Sequence, residues 1–283
     1  MNQADDYIDR VKHLPPEPTV LLRLLELIEQ PDNDVEQIVQ LICHDPSLAA
    51  EILRICNTAY FAASGPADDV FAAVTRLGLY EVYCVAASAL SSRAFSLWES
   101  GGAIDIGQIW NHSIAAAVAA DILAKRVGDK PGTAFTTALL HDLGKLVLVG
   151  AAPAEYAQVV EHAQATRQSQ VEVEKGFFGV DHAEVGGRLL ARWNFTPHMV
   201  AAVCSHHGSA PNESSDRLAA TVRLGNLFAH FLGYGEPSEA DGLRRISRCM
   251  GVLNLQRELL PDLLGDTLRD LKRLADTLPM QSP

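Results

Sequence analysis

The sequence predicts an all-α fold, because apolar residues recur at helical spacing almost throughout, alternating strand patterns are nearly absent, and the punctuation is that of helix ends. Val20, Leu21, Leu24, Leu25 and Ile28 form one apolar stripe. Leu218, Val222, Leu224, Leu227 and Phe228 lie in another, and i, i+3, i+4 spacing of this kind gives a helix one buried face. Asp45-Pro46 reads as a helix start, with a carboxylate to accept free amides and a proline where no amide hydrogen is needed. Gly78 and Gly128 follow apolar-periodic runs as natural stops.

Taken in order, the helical patterning is weakest from Trp98 to Gly107, where Glu99, Ser100, Gly101 and Gly102 form a polar, glycine-containing break. The boundary is placed there, separating an N-terminal helical bundle, residues 1–97, from a C-terminal helical part, residues 98–283, that is far richer in histidine. The two parts are expected to pack on each other and share a core. The last stretch, Leu253 to Leu278, repeats leucine at 255, 259, 260, 263, 264, 268 and 271 and reads as an amphipathic closing helix or helix pair. No fixed-period repeat and no low-complexity tract interrupts this order.

Composition narrows the function classes. A chain of 283 residues that is 48% hydrophobic can bury a sizeable core in one large domain or two smaller ones. Lys and Arg total 23 against 35 Asp and Glu, a formal net charge of −12, which disfavours grip on a phosphate backbone and makes nucleic acid an unexpected partner. Apolar runs such as Ile114 to Ala120 with Ile122 and Leu123 meet charge before the roughly 20 residues of a bilayer crossing, so no membrane span is expected. Met1 to Arg10 alternates acidic and polar residues where a secretory signal has a basic start and an apolar run, which gives a cytoplasmic expectation. Cys43, Cys56, Cys84, Cys204 and Cys249 are odd in number, widely spaced and set among apolar residues, as expected for reduced core thiols.

The chemistry lies in the C-terminal part. His112, the pair His141-Asp142, His182 and the pair His206-His207 place six potential ligands on apolar helices. Imidazole is the commonest metal-binding side chain and a carboxylate can bridge two cations, so the set could hold a mononuclear or binuclear centre if the helices converge. Taken singly, each has an ordinary alternative: His112 as a polar residue near a helix start, His182 as part of an Asp-His helix start, His206-His207 as an exposed helix end. His141-Asp142 follows the apolar run Ala134 to Leu140 and precedes Gly144, so it is placed in the last turn of a buried helix that the glycine ends. Adjacent residues diverge by about 100° around a helix, so both reach one centre only where helical geometry relaxes. His13, His162, His198 and His230 lack paired partners and are assigned to solvent or polar niches. A second His-Asp pair, His44-Asp45, precedes Pro46, and helix capping accounts for it.

These segments also carry a family resemblance. Leu14-Pro15-Pro16-Glu17-Pro18, Asp45-Pro46-Ser47-Leu48, Asn57-Thr58-Ala59-Tyr60-Phe61 and Ala73-Val74-Thr75-Arg76-Leu77-Gly78 resemble successive motifs of HDOD domains. Trp110-Asn111-His112-Ser113, Leu139 to Lys145, Phe178 to Gly186 and Ser205-His206-His207 continue in the family's order, so the resemblance runs from about Leu14 to Leu232. It implies a bacterial helical signalling module with an HD-like C-terminal domain, related to HD phosphohydrolases but often degenerate at the metal site. Such a module works through a signalling protein partner, with a small phosphorylated or nucleotide ligand as a further candidate.

Compared with HD-GYP phosphodiesterases, His112, His141, Asp142, His182, His206 and His207 match the metal-ligand order, implying one or two divalent transition metals such as Fe, Mn, Zn or Ni. Asp142 takes the bridging position and Lys145 matches the lysine that contacts phosphate, which makes these two the catalytic candidates. There are departures. Asn226 stands where a closing aspartate is expected, and its neutral amide is a poorer ligand. Gln108, one turn before His112, replaces a glutamate that completes a larger cluster in some relatives. His207 is followed by Gly208-Ser209-Ala210-Pro211 rather than by the GYP signature, and Gly233-Tyr234-Gly235 comes too far down the chain. The leading expectation is therefore a non-catalytic signalling module. The alternative is a metal-dependent phosphohydrolase, in which a metal-activated water attacks a phosphoester and Lys145 balances phosphoryl charge. Nucleic-acid or nucleotide binding without hydrolysis has only the scattered Arg76, Arg93 and Lys145 behind it, with the acidic balance against it.

Overall fold

The computed structural model describes residues 3–11, 18–58, 67–96, 105–208, 217–235 and 242–275. Every regular element among them is helical. The first six helices are α1 (Gln3–Arg10), α2 (Thr19–Ile28), α3 (Val35–Cys43), α4 (Pro46–Cys56), α5 (Val70–Leu77) and α6 (Leu79–Ser96). Then come α7 (Ile106–Val127), α8 (Pro131–Leu139), α9 (Leu143–Ala151), α10 (Pro153–Thr166) and α11 (Gln170–Phe178). The remainder are α12 (His182–Arg192), α13 (Pro197–Ser205), α14 (Arg217–Phe231), α15 (Gly242–Val252) and α16 (Leu260–Ala275).

The punctuation behaves as the side chains dictate. Asp45 accepts hydrogen bonds from the Ser47 and Leu48 amides at the start of α4, a cap worth about 1 kcal/mol. Arg93 of α6 donates to the other Asp45 oxygen at 2.8 Å, so His44-Asp45 is structural. Gly78 adopts φ +84° between α5 and α6, which bend by 112° there. Gly128 adopts φ +73° and ends α7, left-handed geometry that a side chain would strain. The expected boundary at Trp98 to Gly107 falls mostly outside the described residues, as do His13 and the motif residues 14–17 and 59–61. The closing stretch resolves into a 3₁₀ turn, Arg257–Leu259, followed by α16. Leu263 and Leu271 are buried there, whereas Leu268 is exposed.

α7 is the central helix. It is buried on nearly every side from Trp110 to Ala124 because α8, α14 and α16 lie against it. The run Ala115 to Ala120 lets these neighbours come close. A Cβ on Gly225 of α14 would sit 2.7 Å from the Ala116 carbonyl oxygen. One continuous apolar cluster takes in Leu24, Ile52 and Tyr83 from the N-terminal helices together with Ile114, Leu146, Leu189 and Leu271. α1 lies against α9 and α12, where Asp5 is clasped by Arg188 and Arg192. The segment Pro131–Ala151 has the length and apolarity of a membrane span, but most of it is buried inside the fold. All five cysteines are free, and Cys56, Cys84 and Cys249 are buried. Cys43 and Cys204 are exposed, so the core-thiol expectation fails for those two, whose helices turn them outward.

Candidate metal centre

Four parts of the fold converge beneath α7. His112 comes from α7, His141 and Asp142 from the joint between α8 and α9, His182 from the first residue of α12, and His206-His207 from the end of α13. The joint corrects the sequence reading of this pair. α8 ends at Leu139, and His141-Asp142 lies outside regular helix, with Asp142 as the residue preceding α9. Its carboxylate makes no capping bond and sits at a helix N-terminus that favours negative charge. Gly144 ends nothing: it lies in the first turn of α9, where a Cβ would be 1.9 Å from the His182 carbonyl oxygen and 2.6 Å from the Gly186 nitrogen. The glycine is needed because α9 and α12 touch backbone to backbone.

The six side chains form two overlapping groups, Asp142 with His182, His206 and His207, and Asp142 with His112 and His141. Within each group the candidate ligand atoms lie within 4.8 Å of one another. Asp142 Oδ1 is 3.2 Å from His182 Nε2, 3.5 Å from His141 Nε2 and 3.6 Å from His206 Nε2. Asp142 Oδ2 is 3.6 Å from His112 Nε2 and 2.7 Å from Lys145 Nζ. Asp142 thus stands between the groups.

Four of the five imidazoles are held the same way. Nδ1–H donates to the Tyr234 carbonyl from His112, to Ala138 from His141, to Val203 from His206 and to the Glu174 carboxylate from His182, each at 2.6 Å. These acceptors cannot donate, so they assign the hydrogen to Nδ1 and turn Nε2 inward. His112 and His141 then face each other through Nε2 at 3.3 Å, and His182 and His207 at 2.9 Å. Two lone pairs at such separations repel unless a cation or proton lies between them. Asp142 Oδ1, His206 Nε2 and Asn226 Oδ1 are buried without a hydrogen-bond partner, a costly state that a bound cation relieves.

Protonation follows from burial. Burial pushes His112 and His141 down to about 3, outweighing the opposing pull of the Asp142 charge. It also lowers His206 and His207. Burial alone would raise Asp142, but the ring of His141 and the Lys145 ammonium, with the other imidazoles around it, hold it well below the usual carboxylate range. Burial would lower His182, yet the Glu174 charge overrides it and the ring rises to about 9. Four neutral imidazoles and an ionised carboxylate, with His182 as a fifth ring that would give up its Nε2 proton to a bound cation, are the donor set of a divalent transition metal. The residues present therefore fit such an ion.

Other expectations meet mixed outcomes. His206 is buried and His207 half-buried, not an exposed helix end, because α13 stops against the cluster. His162 and His198 are exposed as expected. His230 is not a bystander: its ring packs on His112, centroid to centroid 4.6 Å. Gln108 is exposed. Asn226 is 2% exposed on α14, which packs on α7, α8 and α13. Sequence reasoning missed Glu174, which looks like a surface charge within Val171-Glu172-Val173-Glu174-Lys175. It also passed over Tyr234 and Gly235, which meet His112 across 122 residues of chain. No local signal reports such contacts.

An all-helical fold that gathers five histidines and an aspartate into a buried cluster able to hold a metal defines the class of this protein. The chain belongs to the HDOD domain family, which matches residues 14–209. It is 30% identical over 241 residues to an uncharacterized protein of Treponema pallidum (strain Nichols), covering 83% of this chain and 46% of that protein. The chain thus spans about half the length of that curated relative. Its fold is similar to that of an HDOD domain protein from Geobacter sulfurreducens, with TM-score 0.81 and 21% identity over 97% of this chain and 96% of the other. It is also similar to the MmoQ response regulator of Methylococcus capsulatus, with TM-score 0.51 and 27% identity over 90% and 99% of the two chains.

Proposed function

We propose that this chain is a cytoplasmic signal-transduction module that holds one or two divalent transition metal ions at His112, His141, Asp142, His182, His206 and His207. It acts through contacts with a signalling protein rather than by hydrolysis. The observation that carries this reading is closure of the centre: His112, His141, Asp142, His182 and His206 are each at most 4% exposed. Among these six residues and Lys145, His207 and Lys145 border the surface, the lysine side chain at 14% exposure with its ammonium against Asp142. A phosphoester has to bring its phosphorus within about 3.5 Å of an attacking group, and this arrangement leaves little approach. Asn226 in place of a carboxylate fits the same reading, as does the likeness to a response regulator. Residues 1–97 would form the partner-facing part, on which Phe71 is 51% exposed.

The phosphohydrolase alternative is favoured by one observation, the position of Lys145 beside Asp142 at the edge of the cluster, where an ammonium would neutralise phosphoryl oxygens. A bound divalent ion supplies Lewis acidity and a more acidic water. The test is elemental analysis of protein purified without added metal, alongside assays with phosphomonoesters and cyclic dinucleotides. Bound metal with no turnover is expected. Robust hydrolysis that Asp142→Ala abolishes would overturn the non-catalytic reading.

A further inference from the structure

Glu174 is the least expected group near the centre. It is 0% exposed, although it lies on a helix of otherwise mixed polarity. Gly179, at φ +72°, ends α11 and turns the chain so that Glu174 comes to lie under the first turn of α12. Three donors from two helices converge on its carboxylate. The Tyr156 hydroxyl of α10 donates to Oε1 at 2.8 Å, the His182 amide to Oε2 at 2.8 Å, and His182 Nδ1 to the same Oε2 at 2.6 Å. Every contact is a donor, so the ionised form is the one this pocket satisfies.

The plainer account makes Glu174 a cap for α12, since the His182 amide is one of that helix's free N-terminal donors. That account is incomplete. Asp181 already occupies the capping position and accepts from the Glu184 amide at 2.8 Å. The bond to the His182 ring serves no helix terminus, and a buried carboxylate is an expensive way to satisfy one amide. Charge points the same way, because among the six candidate ligands Asp142 alone is anionic, while Asn226 is neutral. Glu174 lies one hydrogen bond behind His182 and brings a second negative charge to the ligand set, enough with Asp142 to balance one divalent ion.

We propose that Glu174 is a positioning residue of the metal centre, orienting His182 through Nδ1 and supplying the negative charge that position 226 lacks. This rests on the metal-binding reading above. Carboxylate–imidazole–metal relays of this kind typically contribute 10–100-fold in metal affinity. Tyr156 anchors the relay from behind, and Gln170 Nε2 in turn approaches the Tyr156 hydroxyl at 3.4 Å.

The test uses the full chain, stripped of metal with a chelator and titrated with Co²⁺, read by visible absorbance and elemental analysis. Glu174→Gln keeps the size and the acceptor toward His182 but removes the charge. It should weaken Co²⁺ binding by roughly 10–100-fold, and the loss of the buried pair with His182 should also lower the unfolding midpoint of the metal-free chain. Wild-type Co²⁺ affinity in that variant, with or without a lowered midpoint, would overturn the assignment and leave Glu174 a structural group. Should the variant not fold, imidazole ¹⁵N–¹H correlation spectra of the Zn²⁺-loaded wild type decide the point. His182 should keep its Nδ1 proton and bind through Nε2, and coordination through Nδ1 would refute the relay. A wild-type chain that takes up no Co²⁺ overturns the metal reading itself, an outcome distinct from unchanged binding in Glu174→Gln.

Discussion

Replacing Gly144 by alanine adds one methyl group where α9 and α12 meet, and the structure gives the size of the effect. The new Cβ would lie 1.9 Å from the His182 carbonyl oxygen and 2.8 Å from the His182 carbonyl carbon. That is about 1.5 Å short of ordinary van der Waals contact. The obstacle is backbone, so no side-chain rotation relieves it, and one helix has to move. Overpacking of this kind costs ~1–3 kcal/mol and more where the backbone shifts, so a loss of at least about 3 kcal/mol is expected. The displacement also separates Asp142 from His182, whose present distance is 3.2 Å. A shift of ~1.5 Å is large against a metal–nitrogen bond of about 2.1 Å. Urea unfolding of the metal-free chain and Co²⁺ titration measure the two effects separately. Unfolding at the wild-type midpoint together with wild-type Co²⁺ affinity would refute the argument that Gly144 sets the spacing of the centre.

Asn226→Asp puts an anionic oxygen where the buried amide oxygen has no hydrogen-bond partner. Metal affinity measured by chelator competition should rise by at least the roughly tenfold that even an outer partner is worth, and unchanged affinity would place residue 226 outside the ligand set. At the other end of the chain, hydrogen bonds from Arg188 and then Arg192 hold Asp5 down at about 2, below the ~3.9 of a free aspartate. Its contribution to docking α1 is therefore complete above about pH 4 and lost as the pH falls toward 2. Hydrogen exchange in Gln3–Arg10 should accelerate across that window in the wild type, and an Asp5→Asn chain that retains the same pH dependence would refute the assignment.

Much of this protein is decided locally, which is why the sequence alone predicts it. A carboxylate before a proline at Asp45 caps α4, and glycines 78 and 128 take left-handed turns, because the bonds and torsions involved span only a few residues. Apolar spacing determines which face of each helix is buried, and hence an all-helical chain. The order of His112, His141-Asp142, His182 and His206-His207 names a candidate centre because residue type restricts what can bind a metal. What residue order does not contain is distance. That His141-Asp142 occupies a joint rather than a helix end follows from the close crossing of α9 and α12, which needs Gly144 for reasons visible only when the His182 carbonyl is beside it. The Tyr234 carbonyl holding His112, the ring of His230 against it and the Glu174 carboxylate behind His182 are supplied by residues that look like ordinary turn or surface positions. Periodicity is a property of one helix, whereas tautomer, charge and burial at this centre are set by several helices packed together, and only the tertiary structure fixes them.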